Sequence, residues 1–71
     1  MQLTGRIVAI ESHGISEQVV THSLELYVSK ADTRLLRISK AQFETIQKKG
    51  LSQVRLEIDR NSGFVESIDY L

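Results

Sequence analysis

The 71 residues leave room for one domain, residues 1–71, with a thin core, since a chain of this size buries only about 60% of the surface its unfolded form exposes. With no cysteine there is no disulfide and no thiolate zinc site, and 41% hydrophobic against 25% charged residues is too apolar for a disordered chain. Net charge is zero but uneven: Met1–Ser29 carries one base and three acids, Lys30–Arg60 eight bases and four acids, and Asn61–Leu71 two acids, so a basic middle lies between acidic ends.

A first strand is expected from about Leu3 to Glu11. Simple alternation puts Leu3, Ile7 and Ala9 on one face and Thr4, Arg6, Val8 and Ile10 on the other. Apolar residues on both faces predict a central or strongly curved strand, and Gly5 predicts a bend or bulge within it. Ser12-His13-Gly14 reads as the following turn. The second strand, about Gln18 to Val28, has the cleanest period of two in the chain. Val20, Leu24, Leu26 and Val28 form one row, interrupted only by His22, and Thr21, Ser23, Glu25 and Tyr27 form the other. A turn over Ser29–Thr33 leads to a third strand, Arg34 to Ile38.

Ser39 is the expected N-cap of a helix about ten residues long. Ser39 with Gln42 matches a capping box, and Ile38 with Phe43 occupies the positions of a hydrophobic staple. At the other end Gly50 fits a left-handed terminator, with Leu51 placed to fold back on Ile46 as in a Schellman motif. Lys48 and Lys49 complement the negative end of the helix dipole, and Phe43 and Ile46 are expected to face the core.

The fourth strand, Gln53 to Asp59, alternates Val54, Leu56 and Ile58 with Arg55, Glu57 and Asp59. Asp59–Gly63 reads as a hairpin loop with Gly63 at positive φ, and a fifth strand runs from Phe64 to about Tyr70. The segment E-I-D-R-N-S-G-F-V-E-S-I, Glu57 to Ile68, resembles the helix-then-hairpin ending of PepSY-type domains. It spans a small part of the chain around a common D-x-x-x-G hairpin and identifies no family.

The element order is mainly β with one short helix, β-β-β-α-β-β. A helix between the third and fourth of five strands is the order of an OB-fold, a small, five-stranded, partly open Greek-key barrel. An SH3-like β-roll, or an open sheet with one helix, is the second expectation.

Chemistry is sparse. A metal site needs His13, His22 and a carboxylate such as Glu11 to converge, and their spacing is that of a turn histidine and a boundary histidine, so no metal is expected. No G-x-S-x-G elbow, cysteine nucleophile or glycine-rich phosphate loop is present, and a core this small does not enclose a reaction. The expectation is therefore no enzyme and no cofactor. Met1 to Gly5 offers no basic or apolar leader, and no apolar run approaches the ~20 residues of a membrane span, so the expected location is the cytoplasm.

Two binding functions follow. The leading expectation is a small adaptor module acting through protein contacts and self-associating as a homo-oligomer. Its motives are the thin core, the lack of any staple, an edge at strand three or five, and apolar Tyr70 and Leu71 in need of cover. The alternative is an OB-like binder of single-stranded nucleic acid. Lys30, Arg34, Arg37 and Lys40 would meet phosphates, and Tyr27 would stack a base on the face of strands two and three. Against it stand the single aromatic ring on that face and a pI near 6.7.

Overall fold

The computed structural model describes residues 1–16 and 18–71, the side chain of Ile15 excepted. Five strands and one helix follow in the order β1 (Gln2–Ser16), β2 (Val19–Ser29), β3 (Asp32–Ile38), α1 (Lys40–Lys49), β4 (Gln53–Ile58) and β5 (Val65–Tyr70). They form one sheet with the lateral order β3-β2-β1-β4-β5, every neighbouring pair antiparallel. Among the described residues one parallel bridge joins the two ends of the sheet, between Arg37 of β3 and Phe64, the residue before β5. The sheet is thus rolled into a partly open barrel with the OB-like order expected from the sequence. Among the described residues no helix is long and apolar enough to cross a membrane.

β1 is the central strand, and it departs from simple alternation. Its register against β2 slips between Ile7 and Ala9, leaving Val8 as the extra residue of a β-bulge. The slip reverses the faces beyond it. Ile10 therefore points inward opposite Leu24, where alternation placed it outward with Val8, and Ala9 moves to the row of Glu25. The bulge falls at Val8 and not at Gly5. Gly5 instead permits a close approach. A Cβ there would collide with the carbonyl oxygen of Tyr27 on β2, so only a hydrogen fits between the two strands.

β1 is also longer than its composition implies. Ser12, His13 and Gly14 are strand and not turn, pairing with His22, Thr21 and Val20. The partner segment Val19-Val20-Thr21 is rich in β-branched residues and supplies the ladder that holds them extended. The pairing of β2 with β3 starts only at His22 with Ile38, so the β1–β2 hairpin projects past the end of β3 as a two-stranded arm. β3 itself begins at Asp32, two residues earlier than expected, because the turn before it is shortened to Lys30-Ala31.

The core is wholly aliphatic at its centre. Ile7, Leu24, Leu26, Ile46, Val54 and Leu56 are fully buried, ringed by half-buried Phe43, Ile68 and Tyr70. α1 packs on β2, with Phe43 against His22, and reaches β5 through its side chains. Gln42 Nε2 donates to the carbonyl of Val65 at 3.1 Å, and Lys49 Nζ sits 4.9 Å from the centre of the Tyr70 ring. Burial there pushes the Tyr70 phenol above its ordinary pKa. Tyr70 is thus covered by the helix, while Leu71 stays exposed.

The helix start agrees with the sequence expectation. Ser39 Oγ accepts from the backbone N–H of Gln42 at 3.1 Å, and Gln42 Oε1 accepts from the N–H of Ser39 at 2.9 Å. The end differs in one respect. Gly50 has φ 86° and its N–H donates to the carbonyl of Ile46 at 2.8 Å, but Leu51 does not fold back and stays 47% exposed. An extended ψ of 177° at Gly50 sends the chain away from the helix, and the carbonyl of Ser52 then accepts from the N–H of Ile7 at 3.0 Å.

Three substitutions test these constraints. Ser39→Ala should cost ~1 kcal/mol by leaving first-turn N–H groups unpaired. Gly50→Ala should cost more, about 1–3 kcal/mol, because φ 86° with ψ 177° is a backbone region that glycine alone enters readily. Gly5→Ala should cost at least as much as Ser39→Ala, roughly 1–3 kcal/mol or the fold itself, because backbone and not a flexible side chain stands in the way. Urea melts ranking Gly5→Ala as the mildest of the three would overturn the close approach of β1 and β2.

Candidate functional site

The register of β2 and β3 sorts their side chains into two faces. Ser23 pairs with Arg37, Glu25 with Leu35 and Tyr27 with Thr33, and these rows face away from the core occupied by Leu24, Leu26 and Ile38. Arg34 lies in the other phase, opposite Leu26. At the strand's open end it stays exposed and turns to Asp32, with Nε to Oδ1 at 3.0 Å and Nη2 to Oδ2 at 3.3 Å. That hydrogen bond, and then the carboxylate's charge, raises the guanidinium's pKa above its ordinary value.

The five residues proposed from sequence as a nucleic-acid face therefore do not share one surface. Tyr27, Lys30 and Arg34 lie near the β2–β3 turn, and Arg34 already has a carboxylate partner. Arg37 and Lys40 lie at the opposite end of β3. Arg37 is paired with Ser23, four residues along β2 from Tyr27, a separation of ~13 Å.

What the fold gathers around Arg37 and Lys40 is a cleft of about 450 Å³, open to solvent. One wall is the projecting arm, with Val20, Thr21 and His22. The floor runs from Arg37 through Ile38 and Ser39 to Lys40, and Phe64 forms the far side. Among the described residues no acid lines the cleft, and neither Arg37 nor Lys40 has an ion-pair partner. His22 is held from behind: its Nδ1 is 2.8 Å from Ser12 Oγ, and its ring packs on Phe43 with centroids 4.9 Å apart. Arg37 and Phe64 are bridge partners across the barrel's seam, so their side chains stand side by side on the outer surface.

Phe64 is placed by the β4–β5 loop. The Asp59 carboxylate accepts from the N–H of Asn61 at 3.1 Å and from Ser62 Oγ at 2.9 Å. The Asp59 N–H donates to the carbonyl of Phe64 at 2.9 Å, and Gly63, at φ 76°, donates to the carbonyl of Asp59 at 2.9 Å. The bond from the Asn61 N–H, followed by that from Ser62, holds the Asp59 carboxyl below the usual carboxylate range.

Sequence reasoning does not find Phe64 as a site residue and places it only at the start of a strand. A parallel bridge between distant strands leaves no period to read. The signal exists in another form: an aromatic directly after the positive-φ glycine of the β4–β5 loop, one of two loops that border ligands in barrels of this order.

The histidines do not converge. Glu11 Oε2 lies 2.7 Å from His13 Nε2 on the outward side of β1, whereas His22, in the opposite phase, faces Ser12. Among the described residues no three metal-ligating groups come together.

A second surface is apolar. On the outer face Leu35 is 68% exposed in mid-β3, with Tyr27 diagonal to it on β2 and Val8 extruded by the bulge on β1, each 41% exposed. Beyond Leu35 the outer backbone edge of β3 has no strand partner from Asp32 to Leu36 among the described residues. No protein-family model, no curated protein sequence and no solved structure matches this chain.

The pH behaviour of the β4–β5 loop tests how it holds Phe64. Folding lowers the Asp59 pKa, so its contribution is complete above the unfolded carboxylate value, about 3.9, and is lost as pH falls through the folded value. The stability gap between the parent and Asp59→Asn should therefore narrow on acidification from about pH 5 to pH 2. Urea melts giving the same gap across that window would show that the charge plays no part in the loop.

Proposed function

We propose that this chain is a small non-enzymatic binding module that works through protein contacts and self-associates, in the cytoplasm. The observation that carries the reading is Leu35, 68% exposed at the middle of an end strand whose outer backbone groups are unpaired among the described residues. An exposed apolar side chain on an open strand edge combines the two features that strand addition uses: free N–H and C=O groups, and area to remove from water. Tyr27 and Val8 extend the apolar area inward across the sheet, and Arg6, paired with Tyr27, and Glu25, paired with Leu35, lie among them with opposite charges. β3 contains neither proline nor glycine, so its backbone can take another strand along Asp32–Leu36.

The chemistry at hand also favours binding over catalysis. Among the described residues the side chains with shifted pKa values are Arg34, Asp59 and Tyr70, each accounted for by a structural partner or by burial. The 450 Å³ cleft is open and does not exclude water.

Self-association is measurable by sedimentation equilibrium. The parent is expected to form a dimer or larger species at micromolar concentration, and Leu35→Asp is expected to weaken it by at least about tenfold, the equivalent of ~1.4 kcal/mol. A clean monomer up to several hundred micromolar would remove this reading.

A further inference from the structure

We propose that the end cleft is a separate site for single-stranded nucleic acid, with phosphates on Arg37 and Lys40 and a base against Phe64. It differs in composition from the protein-contact surface around Leu35, which it adjoins on the outer face of β3.

Three observations lead to it. First, the parallel bridge sets Arg37 and Phe64 on the same face of adjacent strands, which places a forked cation beside an aromatic plane that is 41% exposed. A nucleotide presents the same two features next to each other, a phosphate and a flat ring. Second, Lys40 follows Arg37 across the cleft floor, and no acid among the described residues lines the cleft. In a chain of zero net charge this is a local concentration of positive potential. The carboxylate nearest Arg37 in the β2–β3 ladder is Glu25, diagonal to it on the outer face and paired with Leu35, and the two form no ion pair. Third, the cleft is open to solvent between the projecting arm and the β4–β5 loop. A pocket for a free nucleotide would have to bury most of its ligand, whereas an open cleft lets a strand pass through.

The site differs in composition from the one expected from the sequence. It keeps Arg37 and Lys40, adds Phe64, and leaves out Tyr27, Lys30 and Arg34, which lie at the far end of β3.

The test is fluorescence anisotropy with labelled oligo-dT and oligo-rU of about twelve nucleotides, within the span of one such barrel, titrated over a range of salt. For the parent, binding should weaken with salt. Arg37→Ala and Lys40→Ala should each lower the slope of log K against log salt by about 0.7. Phe64→Leu should weaken binding by about 5- to 100-fold with the slope unchanged, and Phe64→Tyr, which keeps the ring, should restore it. Arg34→Ala, at the far end of β3, should bind like the parent. The proposal is overturned by no binding at low salt, or by an equal effect of Arg34→Ala and Arg37→Ala. It is equally overturned if heparin, which has charge but no bases, binds as tightly and Phe64→Leu changes nothing. Displacement of the oligonucleotide by micromolar thymidine or uridine monophosphate would reassign the cleft to a free nucleotide and reject the strand.

Discussion

β1 has to satisfy two neighbours that lie on opposite sides of it. Its first residues pair with β4, from Gln2 with Glu57 to Arg6 with Gln53, and from Arg6 onward it pairs with β2. Arg6 belongs to both ladders, so the sheet turns its corner at this strand. Two local features make the turn feasible. At Gly5 the missing side chain lets the backbone of β2 come close at Tyr27, and at Val8 an extra residue tightens the twist. The buried set on either side of the corner, Ile7 and Leu26 with Val54 and Leu56, meets only because the strand bends there. The helix then needs to fill a gap of fixed shape. It does so with one fully buried side chain, Ile46, and with Gln42 and Lys49 contacting β5.

The same geometry decides which side chains become available for binding. In an antiparallel pair the rows alternate, so two basic residues three apart on β3 fall on different faces. Arg37 therefore looks outward beside Phe64, while Arg34 falls in the phase of Leu26 and is engaged by Asp32. A run of basic residues in sequence becomes a neutralised pair at one end of the strand and, among the described residues, a free cation at the other. The outer face between them is apolar around Leu35, so the molecule presents two surfaces of opposite character on a single strand.

Features set by neighbouring residues are legible in the sequence, and features set by strand pairing are not. The capping box at Ser39, the helix length, the glycines at positive φ and the inward row of β2 depend on residues a few positions apart, and all are readable. The element order is enough to place the helix and to anticipate an open barrel. The faces of β1 beyond Val8 escape a reading by alternation, since a bulge is determined by register with a partner and not by the strand's own pattern. The extension of β1 through Ser12–Gly14 escapes it for the same reason: turn-forming residues are held extended by Val20 and Thr21. In the candidate site, Arg37 and Lys40 are visible as charges, but their separation from Tyr27 and their company with Phe64 depend on pairing between distant segments.

The seam between β3 and β5 rests on a single bridge between residues 37 and 64. Every other join in the sheet is a ladder of several pairs, so this one adds no cooperativity of its own. With the ladders from β3 through β2, β1 and β4 to β5 in place, its two ends are already held near each other, so closing it orders little further chain. A join of one pair is the one that opens at the lowest free energy, below that of global unfolding. The barrel therefore behaves less like a closed ring than like a clasp. Arg37 and Phe64 adjoin the buried Ile38 and Val65, so opening the seam uncovers that margin of the core, and whatever spans the seam acts as its fastener.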